Sequence, residues 1–183
     1  LTYRYGIRTD KAEVYKKEIL LHFPFPEFKG EKFLTEAVVW YRIANADYVL
    51  LLTNEVLYEC EYRPDGLSAH SLELRIANPI GTLLFYKDML GYDLPYRAKL
   101  REASNYIRFR KHYKCSPSFD PKNFESVKQV SFPIKVRFPA FIVGNIAYVF
   151  DRLALARSKN PQNVCDVSVS KPSDSEKTIH VLH

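Results

Sequence analysis

The stretch Gly30-Glu31-Lys32-Phe33-Leu34-Thr35-Glu36-Ala37-Val38-Val39-Trp40-Tyr41-Arg42 places a carboxylate, Glu36, four residues before Trp40. Four residues are one helical turn, so acid and indole project from the same face of a helix start. From Phe33 to Ala46 the apolar residues Phe33, Ala37, Trp40, Ile43 and Ala44 recur at helical spacing, which predicts a helix with one packed face and Glu36 on its edge. Arg42 points away from Glu36 on such a helix, and an ion pair with Glu55 or Asp47 is its expected role. Upstream, Pro24 and Pro26 end a helical run from Lys16 to Phe23 and lead an extended loop to Gly30. Leu1–Ile7 alternates as a short strand does, and Ala12–Tyr15 reads as another.

Downstream, Tyr48–Thr53 reads as a buried strand and Glu55–Tyr62 as a half-exposed one, with Val56, Tyr58, Cys60 and Tyr62 on one side. Pro64-Asp65-Gly66 has turn chemistry. Asn78 followed by Pro79 is a helix start, predicting a helix to about Leu90 that Gly91 stops. A second helix, from about Leu94 to Tyr113, is basic, with Leu100, Ala103, Tyr106 and Ile107 on its apolar side. Residues 116–131 read as a linker, 132–157 as an amphipathic segment at a membrane interface and 158–183 as a mobile tail. The apolar run from Phe138 falls short of the roughly 20 residues that span a bilayer, and Lys135, Arg137, Arg152 and Arg157 flank it.

The 183 residues are 46% hydrophobic and 14% aromatic, enough for one domain with a real core and too apolar for a disordered chain. Net charge is +6, and the excess is local: Arg97, Lys99, Arg101, Arg108, Arg110, Lys111 and Lys114 crowd one stretch in which Glu102 is the acid. That density favours an anionic partner. Cys60, Cys115 and Cys165 lack Cys-x-x-Cys spacing and are odd in number, which speaks against a disulfide framework or a zinc site and fits a reducing cytosol. No histidine spacing indicates a metal site.

Several ordered blocks together resemble the carboxyl-terminal, acceptor-side half of a family 2 glycosyltransferase with the GT-A fold. They are Asp10–Tyr15, Phe25–Phe33, Glu36–Arg42, Tyr62–Ser68 and Asn78–Gly81. The resemblance implies an α/β fold with a mixed sheet, packed helices and a helical C-terminal extension, residues 1–115 forming the acceptor-side part. It implies inverting sugar transfer from a nucleotide-sugar donor to a hydroxyl of a glycan or lipid-linked acceptor, in surface polysaccharide synthesis. Glu36 would be the general base, standing at the second position of an acidic pair whose first member is replaced by Thr35. Trp40, Tyr62, Arg63, Asp65 and Ser68 would line the substrate site. A divalent metal, Mg or Mn, is implied with its main ligands outside this chain, since no Asp-x-Asp motif is found in it, and the nucleotide-binding half is expected to lie outside this chain as well. A fragment of this kind would be inactive alone, and the whole enzyme would sit in the cytoplasm, peripheral on the inner face of the membrane.

Plainer readings stand beside these. A first-turn glutamate is stabilised by the helix dipole without any catalytic role, and a tryptophan is more often core than platform. Two alternative functions follow: a non-catalytic module that binds anionic lipid or nucleic acid through its basic helix, with nucleic acid the less favoured, and a degenerate transferase domain with a structural role.

Overall fold

The computed structural model describes residues 12–49, 51, 59, 61, 66–115, 121–128 and 130–157, and within them the chain is helix and loop. The helices are α1 (Lys17–His22), α2 (Ala37–Asn45), α3 (Ser71–Ala77), α4 (Pro79–Gly91), α5 (Tyr96–Lys114), α6 (Pro121–Lys128) and α7 (Ile134–Arg157). Pro79 and Pro121 each stand in a first turn, where the missing N–H costs no hydrogen bond.

Among the described residues there is no strand, and the core is helix against helix, so the expected α/β mixed sheet is corrected to an α-helical architecture. Ala12–Tyr15 forms no strand, and neither do Tyr48, Val49 and Leu51 of the run expected as a buried strand at Tyr48–Thr53, all three being exposed; Leu1–Ile7 and most of Glu55–Tyr62 lie outside the described residues. The GT-A fold and the resemblance to family 2 glycosyltransferases fall with the sheet, and the glycosyltransferase reading loses its support. Physically, the apolar side chains that a sheet would have to cover are already buried between helices. A short block can match a family in residue order without specifying what packs on it.

Helix α4 is buried on nearly every side, through Ile80, Leu83, Tyr86, Met89 and Leu90. A helix apolar all round must be enclosed, and α2, α3, α5 and α6 enclose it. Helix α5 then lies between α4 and α7, with Ala103, Tyr106, Phe109 and Tyr113 in the core. Tyr86 stacks on Phe109 with ring centroids 5.7 Å apart, and Tyr113 meets Phe124 of α6 at 5.8 Å. The Tyr106 hydroxyl donates to the carbonyls of Val127 (2.9 Å) and Lys128 (3.1 Å), covering the C-terminal carbonyls of α6 that no helical N–H can reach. Helix α6 thus forms inside the stretch expected as a linker, and its Phe124 and Val127 are core residues.

The start of α4 is held by side chains from a distant loop. Glu31 accepts hydrogen bonds from the backbone N–H groups of Ile80 (2.5 Å) and Gly81 (2.7 Å), a carboxylate seated on a helix N-terminus. Burial pushes the Glu31 carboxyl above its usual range, and the two N–H donors oppose that shift. Asn78, expected as a cap, instead accepts from the N–H groups of Lys32 (2.6 Å) and Phe33 (3.1 Å) and ties the loop down. Gly30, with φ at +86°, makes the turn that presents Glu31.

Helix α2 begins at Ala37, with residues 33–35 in loop. Its buried residues are Val38, Val39 and Ile43, so the packed face is rotated from the one the spacing predicted, and Ala44 is exposed. Arg42 pairs with Asp88 of α4 at 2.7 Å, not with Asp47; Glu55 lies outside the described residues.

Helix α7 approaches α5 closely. A Cβ added at Gly144 would stand 2.6 Å from the Ser104 carbonyl oxygen and 3.0 Å from Ile107 Cβ, whereas one added at Gly91 would meet nothing within 4 Å. The same substitution therefore has opposite signs at the two sites. Gly144→Ala is expected to lower unfolding free energy by about 1–3 kcal/mol through overpacking against backbone. Gly91→Ala is expected to raise it by roughly 0.5 kcal/mol through a less flexible unfolded chain. Urea unfolding of both variants checks this, and equal effects would contradict the tight α5–α7 contact.

Candidate functional site

Helix α7 turns one face to α5 and leaves the other uncovered among the described residues. Val136, Ala140, Gly144 and Asp151 are buried on the inner face. On the outer face Phe138, Ile142, Ile146, Val149 and Leu153 recur at spacings of four and three, between 45% and 70% exposed, with Phe141 and Phe150 beside them. Such a contiguous run of large apolar side chains is uncommon on a protein surface and marks an interaction site. Exposed Lys135, Arg137 and Arg152 stand at its two ends.

Pro139 sits inside α7, where it has no N–H to offer the carbonyl of Lys135. The Tyr96 hydroxyl donates to that carbonyl at 3.2 Å. The helix continues past the proline with its freed acceptor satisfied from α5.

The cations of α5 are engaged to a large extent within the molecule. Arg101 reaches the buried Glu102 at 2.7 Å, Arg110 and Lys114 lie 5.5 and 5.6 Å from the Phe124 ring, and Lys111 lies 5.1 Å from the Tyr148 ring. Burial pushes the Glu102 carboxyl up while Arg101 and Arg75 pull it down. The density of positive charge in the sequence thus includes groups that hold helices together.

The most enclosed polar cluster joins α5 to α7. Arg108 donates to both oxygens of Asp151, from Nε to Oδ2 at 2.6 Å and from Nη2 to Oδ1 at 2.5 Å. His112 Nε2 stands 2.9 Å from Asp151 Oδ2. Asp151 and His112 are both buried, and the imidazole is flanked by the Tyr148 ring at 4.7 Å and the Phe109 ring at 6.1 Å. Bidentate geometry and the third hydrogen bond are what make a buried carboxylate tolerable.

The expected substrate residues are not assembled in this way. Glu36 is exposed at the N-cap of α2, and its side chain makes no capping hydrogen bond. Trp40 is half-buried, stacked on Tyr15 with centroids 4.4 Å apart and edge-on to Phe25 at 5.8 Å, while its indole Nε1 is buried without a hydrogen-bond partner. Ser68 is exposed in the turn before α3. Tyr62, Arg63 and Asp65 lie outside the described residues. Among the described residues no three His, Cys, Asp or Glu side chains converge as metal ligands would. Two shallow openings flank the Glu31 loop, the larger about 320 Å³ and lined in part by Glu27, Lys29, Tyr113 and Asn123. Of the two acids they share, Glu27 and Glu31, the second is committed to the start of α4.

No protein-family model, curated protein or solved structure matches this chain.

Sequence reasoning found the apolar segment and its basic ends but missed the Arg108–His112–Asp151 cluster, whose members are 39 and 43 residues apart. The usable signal was an acid directly after an apolar run, since a lone carboxylate there needs a partner from elsewhere. Asp151→Asn leaves Arg108 with half its acceptors gone and is expected to lower unfolding free energy by about 2–3 kcal/mol. A double replacement, Asp151→Leu with Arg108→Met, is expected to recover most of that loss. Denaturant titration decides it: a single variant within about 0.5 kcal/mol of the parent would show that the cluster contributes nothing to holding α7.

Proposed function

We propose that this chain is an α-helical module that docks on an anionic lipid surface through the outer face of α7, without catalytic chemistry in that role. The observation that carries the proposal is the exposed stripe Phe138, Ile142, Ile146, Val149 and Leu153 with cations at both of its ends. Each large apolar side chain that leaves water for the acyl boundary contributes about 1 kcal/mol or more. Each Lys or Arg held near an anionic headgroup layer adds about 1 kcal/mol. Together these are the two weak signals that stable interfacial binding requires.

Charge argues against a second copy of the chain as the occupant. In either a parallel or an antiparallel pairing of two α7 helices the basic ends would face basic ends, and the acid on α7, Asp151, is turned inward to Arg108. An anionic lipid surface answers the same cations with headgroup charge. Nucleic acid would answer the charge but not a stripe of phenylalanine and isoleucine. By extension the module would act at the cytoplasmic face of a membrane, where anionic lipid is concentrated.

Vesicle co-sedimentation of the full chain tests this. Binding is expected to be stronger to vesicles containing anionic phospholipid than to zwitterionic ones, with only part of it lost at high salt. Ile142→Glu with Ile146→Glu, both on the uncovered face, is expected to weaken it by at least about tenfold while leaving the helical spectrum intact. Unchanged vesicle binding in that variant would end the proposal. A steep salt slope on an oligonucleotide, indifferent to the two substitutions, would favour the nucleic-acid reading instead.

A further inference from the structure

We propose that His112 is a pH-sensitive latch on α7: with the imidazole neutral α5 holds α7 closed, and on protonation the two helices loosen and free the inner face of α7 as well. The latch follows from the cluster's geometry, and its use in releasing α7 to lipid rests on the membrane-docking reading above.

The geometry assigns the role to this residue. With its proton on Nε2, neutral His112 donates to Asp151 Oδ2 at 2.9 Å and completes the third hydrogen bond of that carboxylate. The single negative charge of Asp151 is already matched by the bidentate Arg108. A proton added to Nδ1 would leave two cations for one anion, with the ring itself shielded from water, the His112 side chain being 5% exposed.

The surrounding groups give no relief. Helix α7 brings Asp151, the Tyr148 ring and Arg152, whose charge opposes a cationic imidazole. From α5 itself come Arg108, which opposes it too, and Lys111, which lies 5.1 Å from the Tyr148 ring centroid, with Cys115 accepting a hydrogen bond from the Tyr148 hydroxyl at 3.6 Å. Helix α4 reaches this end of α5 through Tyr86, stacked on Phe109. Asp151 is therefore the one anion facing the ring among the described residues.

Burial holds the His112 pKa below the ordinary histidine value of 6.5, outweighing the help of Asp151, with Arg108 and Arg152 acting in the same direction as burial. An opened state, in which the ring is solvated, takes up the proton first as pH falls through about 6.5. The closed arrangement is at full strength above that value and weakens below it, down to the lower pKa of the closed state. Beyond that point the loss stops growing.

Hydrogen exchange of the full chain, expressed as α7 protection corrected for intrinsic rates, tests the latch between about pH 7.5 and pH 5.5. Protection is expected to fall on acidification, by up to about tenfold for each unit that the closed-state pKa lies below the open-state one. His112→Gln, which keeps an N–H donor but does not titrate, should abolish that dependence. A wild-type fall that persists unchanged in His112→Gln would overturn the latch, as would protection that rises on acidification. A direct titration of the His112 ring by NMR in the unaltered protein gives a check independent of how the variant folds: a pKa at or above the ordinary value also overturns it. Anionic vesicles separate the two proposals. If α7 loosens through His112 while vesicle binding stays absent at both pH values, the latch stands and the lipid reading fails.

Discussion

The close contact of α7 with α5 is the constraint on which the rest of the molecule depends. It is made possible by absence of bulk: Gly144 on α7 meets Ser104 and Ile107, Ala140 one turn earlier is fully buried, and no Cβ fits at Gly144 without displacing the Ser104 carbonyl. Only at such a separation can a side chain as short as aspartate reach both Arg108 and His112 from the neighbouring helix. Packing therefore precedes electrostatics here. The small residues bring the helices together, and the carboxylate then fixes their rotation and register.

Fixing that rotation has a consequence for the opposite side. Because α7 is apolar around most of its circumference, any orientation that buries Val136, Ala140 and Asp151 against α5 must turn Phe138, Ile142, Ile146 and Val149 outward. The exposed face is thus the geometric complement of the core contact. Helix α5, in turn, is positioned by α4, whose start is held by Glu31 and Asn78 across the chain and whose flank is tied to α2 by the Arg42–Asp88 pair. A chain of contacts runs from the Gly30 turn to the α7 surface.

Periodicity and end signals made α1, α4 and α5 legible to within a few residues, because apolar spacing and proline or glycine punctuation act locally. Helix α6 was hidden by its polarity: two core residues, Phe124 and Val127, are enough to hold it when Tyr106 covers its last carbonyls. The rotation of α2 was missed because spacing counts Trp40 as core, whereas the Arg42–Asp88 pair and the Val38–Val39 face decide which side meets α4. The sheet was expected both from short alternating or apolar runs, which do not by themselves separate strand from loop, and from a resemblance carried by short blocks, which constrain residue order more than packing. For the candidate site, the apolar stripe and its basic ends were readable, but the Asp151 cluster was not, since nothing local in 108, 112 and 151 announces that they meet.

The charge on α5 bears on how α7 would meet a bilayer. Contrary to the short apolar run expected from Phe138, α7 is by length and composition able to cross one: residues 134–156 form one continuous helix whose most apolar stretch has a mean hydropathy of 1.3 and is only 17% buried. Crossing would nevertheless require α5, packed alongside, either to detach or to carry Arg101, Arg108 and Lys111 into hydrocarbon. Each such residue costs about 2.5 kcal/mol or more at the membrane centre, and detachment would strand Asp151 without its partners. A helix lying flat avoids both penalties, because its inner face keeps α5 while its outer face enters the acyl boundary to a depth of roughly 5–10 Å. The basic ends then fall at the level of the headgroups, and Tyr96 keeps the Lys135 carbonyl satisfied on the side away from lipid. The intact α5–α7 pair thus favours the interface over the interior, and the same pair makes any loosening at His112 a change in how deeply α7 can go.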